Sequence, residues 1–222
     1  MEADHSIHMR EIGASTRHSA RTMEDEPVMP ARPTLADILT KRLHKPRFGL
    51  PFAAAHHGAQ CAALAMKAGV DEETVLACLL HDISMGLNRS DHGWWGAQLI
   101  EPYVSERVSW GVRYHQALRF YTDAEAGYEY PQMYVTMFGE NYKPPEYIEA
   151  AYKFARNHKL YMAARHITVY DDYSFDPGVP FTIEPFLDII GRHFRQPKEG
   201  LGNDGSPTAH MWRTMIDPTK PL

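Results

Sequence analysis

Residues 76–84 read LACLLHDIS, an apolar helical run that ends in a histidine and an aspartate side by side. Such a run belongs in the middle of a core, where a carboxylate is costly unless it is paired or bound to a metal. The fold must therefore bring this pair to a surface or give it something to hold. The flanking sequence is helical in pattern. FAAAHHGAQCAALAMKA, over about 52–68, is rich in alanine and stops at Gly69. Asp71 is placed to cap the next helix, whose Val75, Leu76, Leu79, Leu80 and Ile83 form a broad apolar stripe.

The same periodicity predicts further helices in TLADILTKRL (with Thr34 as N-cap), DHGWWGAQLIEPY, VSERVSWGVRYHQALRFY, PPEYIEAAYKFARNH, LYMAARHITVYDD and IEPFLDIIGRHF. Pro144 and Pro145 suit the first turn of their helix. Residues 122–143 read as an aromatic loop with one short helix around 130–137. No alternating strand pattern, internal repeat or low-complexity tract occurs, so the fold class is all-α. Residues 1–32 read as a flexible arm, 33–195 as a helical bundle, and 196–222 as an irregular tail rich in proline and glycine.

Composition narrows the function classes. A formal charge of −5 argues against a nucleic-acid surface. No stretch has the apolar length of a membrane span, and MEADHSIHMR is not a secretory signal. Cys61 and Cys78 fall within apolar helical patterns and read as reduced core thiols, as expected of a cytoplasmic protein. Thirteen histidines is the unusual count. Four of them, His57, His81, His92 and His115, sit on different predicted helices, with Asp82 beside His81 and Asp171 near the end of a later helix. A bundle can point one side chain from each helix into a shared interior, which is how bundle metal sites are built. Four imidazoles and two carboxylates suit iron, manganese or zinc. A reactive metal keeps a position open, so six ligands imply two metals sharing one carboxylate.

The order H…HD…H…H…D resembles the HD-domain superfamily. AHHGAQCAALA is similar to its first metal-histidine helix, LLHDIS is the signature itself, HGWWGAQLI resembles the next histidine element, and VRYHQALRFY and VYDD supply the last histidine and the closing aspartate. The resemblance covers about residues 47–175, and its nearest branch is the mixed-valent diiron oxygenases. It implies an HD-domain helical bundle with a dinuclear site in its core. Asp82 would bridge two iron ions, Fe(II)/Fe(III); His57, His81 and Asp171 would hold one, and His92 and His115 the other. Dioxygen would be the co-substrate for cleaving or hydroxylating a small, anionic molecule. The alternative is an HD-type phosphohydrolase acting on a nucleotide or other phosphate ester.

The sequence also departs from that branch. Ser84 and Met85 follow Ile83 where Gly-His or Gly-Lys is usual. Leu50 and Arg47 stand where the phosphonate-cleaving relatives carry a glutamate and a tyrosine that close over the site, and Thr168 stands where they carry an arginine.

Several positions keep two readings. His56 competes with His57, and Asp172 with Asp171, because a register of one residue changes the helix face. Gln60 is a candidate hydrogen-bond partner of a ligand or a helix-packing glutamine. Arg119, one turn past His115, is a candidate substrate contact or a solvated arginine. Trp94 and Trp95 read as core rather than pocket, and the aromatic run through Tyr121, Tyr128, Tyr130, Tyr134 and Phe138 as loop packing rather than a roof over the site.

Overall fold

The run that ends in His81 and Asp82 is the central helix of a bundle. In this computed structural model, which describes residues 35–43, 53–172 and 174–195, every residue from Thr74 to Leu80 is buried. A helix apolar on all sides must be surrounded by others. It is, and we number the helices α1 (Leu35–Asp37), α2 (Ala54–Lys67), α3 (Glu72–Leu80), α4 (His92–Ile100), α5 (Glu106–Leu118), α6 (Gln132–Phe138), α7 (Glu146–Arg156), α8 (Tyr161–Asp171) and α9 (Leu187–His193). The central α3 packs against α2, α5, α8 and α9. The described residues all belong to one compact unit. The arm, the tail, and Arg47 and Leu50 lie outside the described residues.

Local chemistry sets the helix ends. Asp71 caps α3, accepting the Thr74 amide at 3.0 Å, with Glu72 and Glu73 in the first turn where the helix dipole favours acids. Ser105 caps α5 through the Val108 amide. The helix predicted to open at Pro144 and Pro145 starts two residues later, at Glu146, with Pro145 extended ahead of it as the N-cap residue rather than in the first turn. The first predicted helix is one α-turn that widens into a π-helix over Ile38–Arg42, with Leu35 and Leu39 buried. Two apolar clusters make the core. The larger includes Leu76, Leu80, Ile100, Val112, Ile167 and Phe186; the smaller groups Trp110, Leu118, Ile148 and Tyr161. Cys61 and Cys78 are buried, free thiols.

Two glycines let helices approach until their backbones touch. A Cβ on Gly58 would lie 2.5 Å from the Leu79 carbonyl oxygen, and one on Gly93 would lie 3.0 Å from that of Val112. The first draws α2 onto α3 and the second α4 onto α5. Each follows a histidine directly, so the close contact also fixes how far that imidazole reaches.

Candidate metal centre

His57 comes from α2, His81 and Asp82 from the turn ending α3, His92 from the start of α4, His115 from α5 and Asp171 from the end of α8. The structure brings all six together, each no more than 6% exposed. His57 Nε2 lies 3.1 Å from His81 Nε2 and 2.7 Å from Asp171 Oδ1. His92 Nε2 lies 3.2 Å from His115 Nε2 and 3.2 Å from Asp82 Oδ1. Asp82 stands between the pairs: Oδ2 is 3.7 Å from His57 Nε2, while Oδ1 is 3.6 Å from His81 Nε2 and 3.8 Å from that of His115.

The opposite ring nitrogens explain why these atoms crowd. Nδ1 of His81, His92 and His115 faces the carbonyl three residues earlier, of Cys78, Arg89 and Val112, at 2.7, 2.9 and 2.6 Å. His57 Nδ1 faces the Ser174 carbonyl at 2.9 Å and its hydroxyl at 3.0 Å. A carbonyl only accepts, so each Nδ1 carries the proton and each Nε2 turns a lone pair inward. Lone pairs facing one another at 3.1–3.2 Å repel unless a proton or a metal ion sits between them. Among the described residues no hydrogen bond reaches the buried Asp82 Oδ1 or Asp171 Oδ1. Metal–nitrogen bonds of about 2.1 Å place neighbouring donors roughly 3 Å apart, as here. The donor set therefore fits metal ions, with His57, His81 and Asp171 as one cluster and His81, Asp82 and His115 as an overlapping one.

Electrostatics agree. Burial disfavours a charged His81, yet the carboxylates of Asp82 and Asp171 outweigh it and push its pKa up to about 9, so without a metal this imidazole takes up the positive charge as a proton on Nε2. Burial holds His92 and His115 below the ordinary imidazole range. Asp82 and Asp171 are held below the carboxylate range despite burial, Asp82 by the surrounding histidines and Asp171 by Arg119 and then His57. The residues alone thus present two buried carboxylates and a field that draws positive charge.

His57 and Asp171, rather than His56 and Asp172, face the centre. His56 Nε2 is directed to the Val179 carbonyl. Gln60 does not join the ligands. It lies one turn after His56 and shares that side of α2, with its amide nitrogen 3.0 Å from His56 Nε2, and brackets Asp176, whose carbonyl accepts at 2.8 Å and whose amide donates at 3.0 Å. It holds the 174–179 segment rather than an imidazole. Arg119 is not a solvated arginine: its side chain is 13% exposed, its Nε stands 3.2 Å from Asp171 Oδ2, and its guanidinium lies 5.1 Å from the Tyr134 ring centre. Burial works against its charge, but Asp171 more than offsets that.

A cavity of about 410 Å³ opens above the centre, bounded by Asp82, His92, Arg89 and Arg119 and walled by Phe120, Phe175 and α6. Tyr134 and Phe138 do line it, contrary to the loop-packing reading, together with Met133 and Met137 of the same helix. Trp94 and Trp95 are 44% and 45% exposed and border a different, aromatic groove, so they are not core.

Some positioning residues escaped the sequence reading. Ser174 holds His57 from 117 positions away, with no motif to mark it. Ser84, noted only as a departure, is fully buried and donates to the His92 carbonyl at 2.7 Å, tying the turn after α3 to α4. Arg165, fully buried, donates to Tyr161, Thr168 and the carbonyls of Leu118 and Tyr121, and pairs with Asp123 at 3.7 Å. It fastens the segment after α5 and does not touch the metal centre.

A family model, HD domain, matches residues 54–214. The chain belongs to the HD-domain family. No curated protein matches the sequence significantly. In this HD domain the signature pair is His81 and Asp82, and its buried histidines and aspartates form a candidate dinuclear metal site. Among the described residues no helix is long and apolar enough to cross a membrane.

Proposed function

We propose that this HD-domain metal-dependent enzyme is an oxygenase that holds two iron ions, Fe(II)/Fe(III), and uses dioxygen to cleave or hydroxylate a small, anionic organic substrate. The observation that carries this reading is the second half of the site. His92 and His115 bring their Nε2 atoms to 3.2 Å, with Asp82 Oδ1 within 3.2 Å of the first and 3.8 Å of the second. His57, His81 and Asp171 would hold one ion, His92 and His115 the other, with Asp82 shared. Bound there, an iron pair supplies the activation of dioxygen needed to attack a C–H bond.

The chain's own residues do the rest. The four Nδ1–H···O=C bonds fix the imidazoles before anything binds, so no reorientation is needed during reaction. Arg119 takes one oxygen of Asp171 and leaves the other for the centre. Phe120, Phe138 and Phe175 make the cavity walls apolar and keep water from a reactive site.

The rival is phosphohydrolysis, for which a carboxylate-bridged metal pair is also suited. It has less support here, because a phosphate cradle needs several cations and the cavity offers two, Arg89 and Arg119, the second with its Nε edge given to Asp171. The test is oxygen uptake over a panel of small carboxylates and phosphonates, beside phosphatase assays, for wild type, His92→Ala and His115→Ala. The proposal expects oxygen uptake that both variants abolish. Phosphatase activity surviving in both, without oxygen uptake, overturns it.

A further inference from the structure

Three tyrosines are buried near Arg119 and Arg165, and two have committed hydroxyls. Tyr128 donates to the Arg119 carbonyl at 2.8 Å, and Tyr161 donates to Asp123. Tyr134 is as buried as they are, at 6% exposed, yet its hydroxyl has no hydrogen-bond partner among the described residues. A hydroxyl with no protein partner, on a residue that lines a ligand cavity, is a donor available to an acceptor bound there. Tyr134 lines the cavity over the metal centre. Burial, against the pull of Arg119 and with the push of Asp171 and Asp82, holds its phenol above the ordinary tyrosine range, so it stays a proton donor.

Arg119 is in a matching condition. Its Nε edge meets Asp171, while its two terminal amino groups make no hydrogen bond among the described residues. The guanidinium lies 5.1 Å from the Tyr134 ring centre, so cation and phenol are fixed against each other on one wall. A guanidinium edge beside a hydroxyl matches the two oxygens of a carboxylate. The facing walls are apolar: Phe120, Met133, Phe138 and Phe175.

We propose that Tyr134 is a substrate-binding residue whose hydroxyl, together with the free edge of Arg119, clamps the carboxylate of a substrate with an apolar body. The clamp rests on the reading of this cavity as the substrate chamber. It places the anionic head against α5 and α6 and the remainder of the molecule among the aromatic walls, beside Asp82 and His92.

The test is calorimetric titration of the metal-bearing protein with phenylacetate and with its neutral amide, for wild type and Tyr134→Phe, which keeps the ring on Arg119 and removes only the hydroxyl. We expect the variant to bind phenylacetate about tenfold more weakly, as for loss of a hydrogen bond to a charged group. Binding of phenylacetamide should stay within about twofold, with the melting midpoint unchanged. Equal phenylacetate affinity in both proteins, equal losses for both ligands, or no binding of phenylacetate by wild type at millimolar concentration each overturns the clamp. Because binding is read without turnover, failure of the clamp leaves the oxygenase proposal intact, and a protein that binds phenylacetate but consumes no oxygen has the reverse meaning.

Discussion

At the scale of single residues, what distinguishes the four histidines is the proton on Nδ1. His81, His92 and His115 each give it to the carbonyl three positions earlier, so their orientation is settled within one turn of chain. His57 instead depends on Ser174. Ser174→Ala removes the hydroxyl and keeps the carbonyl, and should weaken metal binding by about tenfold, read by competition with a chromophoric chelator. This difference also explains what the sequence disclosed. Locally held histidines carry their spacing in the chain, and all six proposed ligands could be read from it. Choosing His57 over His56, or Asp171 over Asp172, needed the helix faces. Ser174 and the uncommitted Tyr134 hydroxyl emerge only when segments distant in sequence meet. Between the two readings of Gln60, helical register alone could not choose, since its contact is with His56 and the 174–179 segment.

At the scale of elements, the site depends on helices that touch. Gly58→Ala would drive a Cβ into the Leu79 carbonyl, at 2.5 Å, where backbone must give way. We expect a cost of about 1–3 kcal/mol in denaturant unfolding, with reduced metal retention because His57 moves with the helix. The α9 contact is a milder case. Glu72 at the start of α3 accepts from Arg192 at 2.6 and 2.9 Å and meets His193 at 2.8 Å. These partners depress its carboxyl to about 2. A depressed carboxyl contributes stability above its unfolded pKa and loses it as pH falls through the folded one. The melting-midpoint gap between wild type and Glu72→Gln should therefore be present near neutral pH, small because the pair is exposed, and gone near a pH of about 2. Helix positions were legible from apolar spacing. The π-helical turn over Ile38–Arg42 and the exposure of Trp94 and Trp95 were not, since periodicity reports neither hydrogen-bond pattern nor what lies opposite a face.

At the scale of the whole molecule, one buried network supports another. Arg165 pairs with Asp123 and bonds the carbonyls of Leu118 and Tyr121, anchoring the chain that carries Arg119 out of α5. Arg165→Met leaves Asp123 buried without its cation and should cost about 3–5 kcal/mol in denaturant unfolding. Around the centre, helices from both halves of the bundle deliver two carboxylates and four inward lone pairs to a dry interior, an arrangement that needs positive charge to persist. The most direct test of that account is the metal content of protein produced in iron-supplemented medium, followed by electron paramagnetic resonance after partial reduction. Two irons per chain with a mixed-valent signal, falling to about one iron in His92→Ala, is the predicted result. One metal per chain, or zinc or manganese with no such signal, would contradict it.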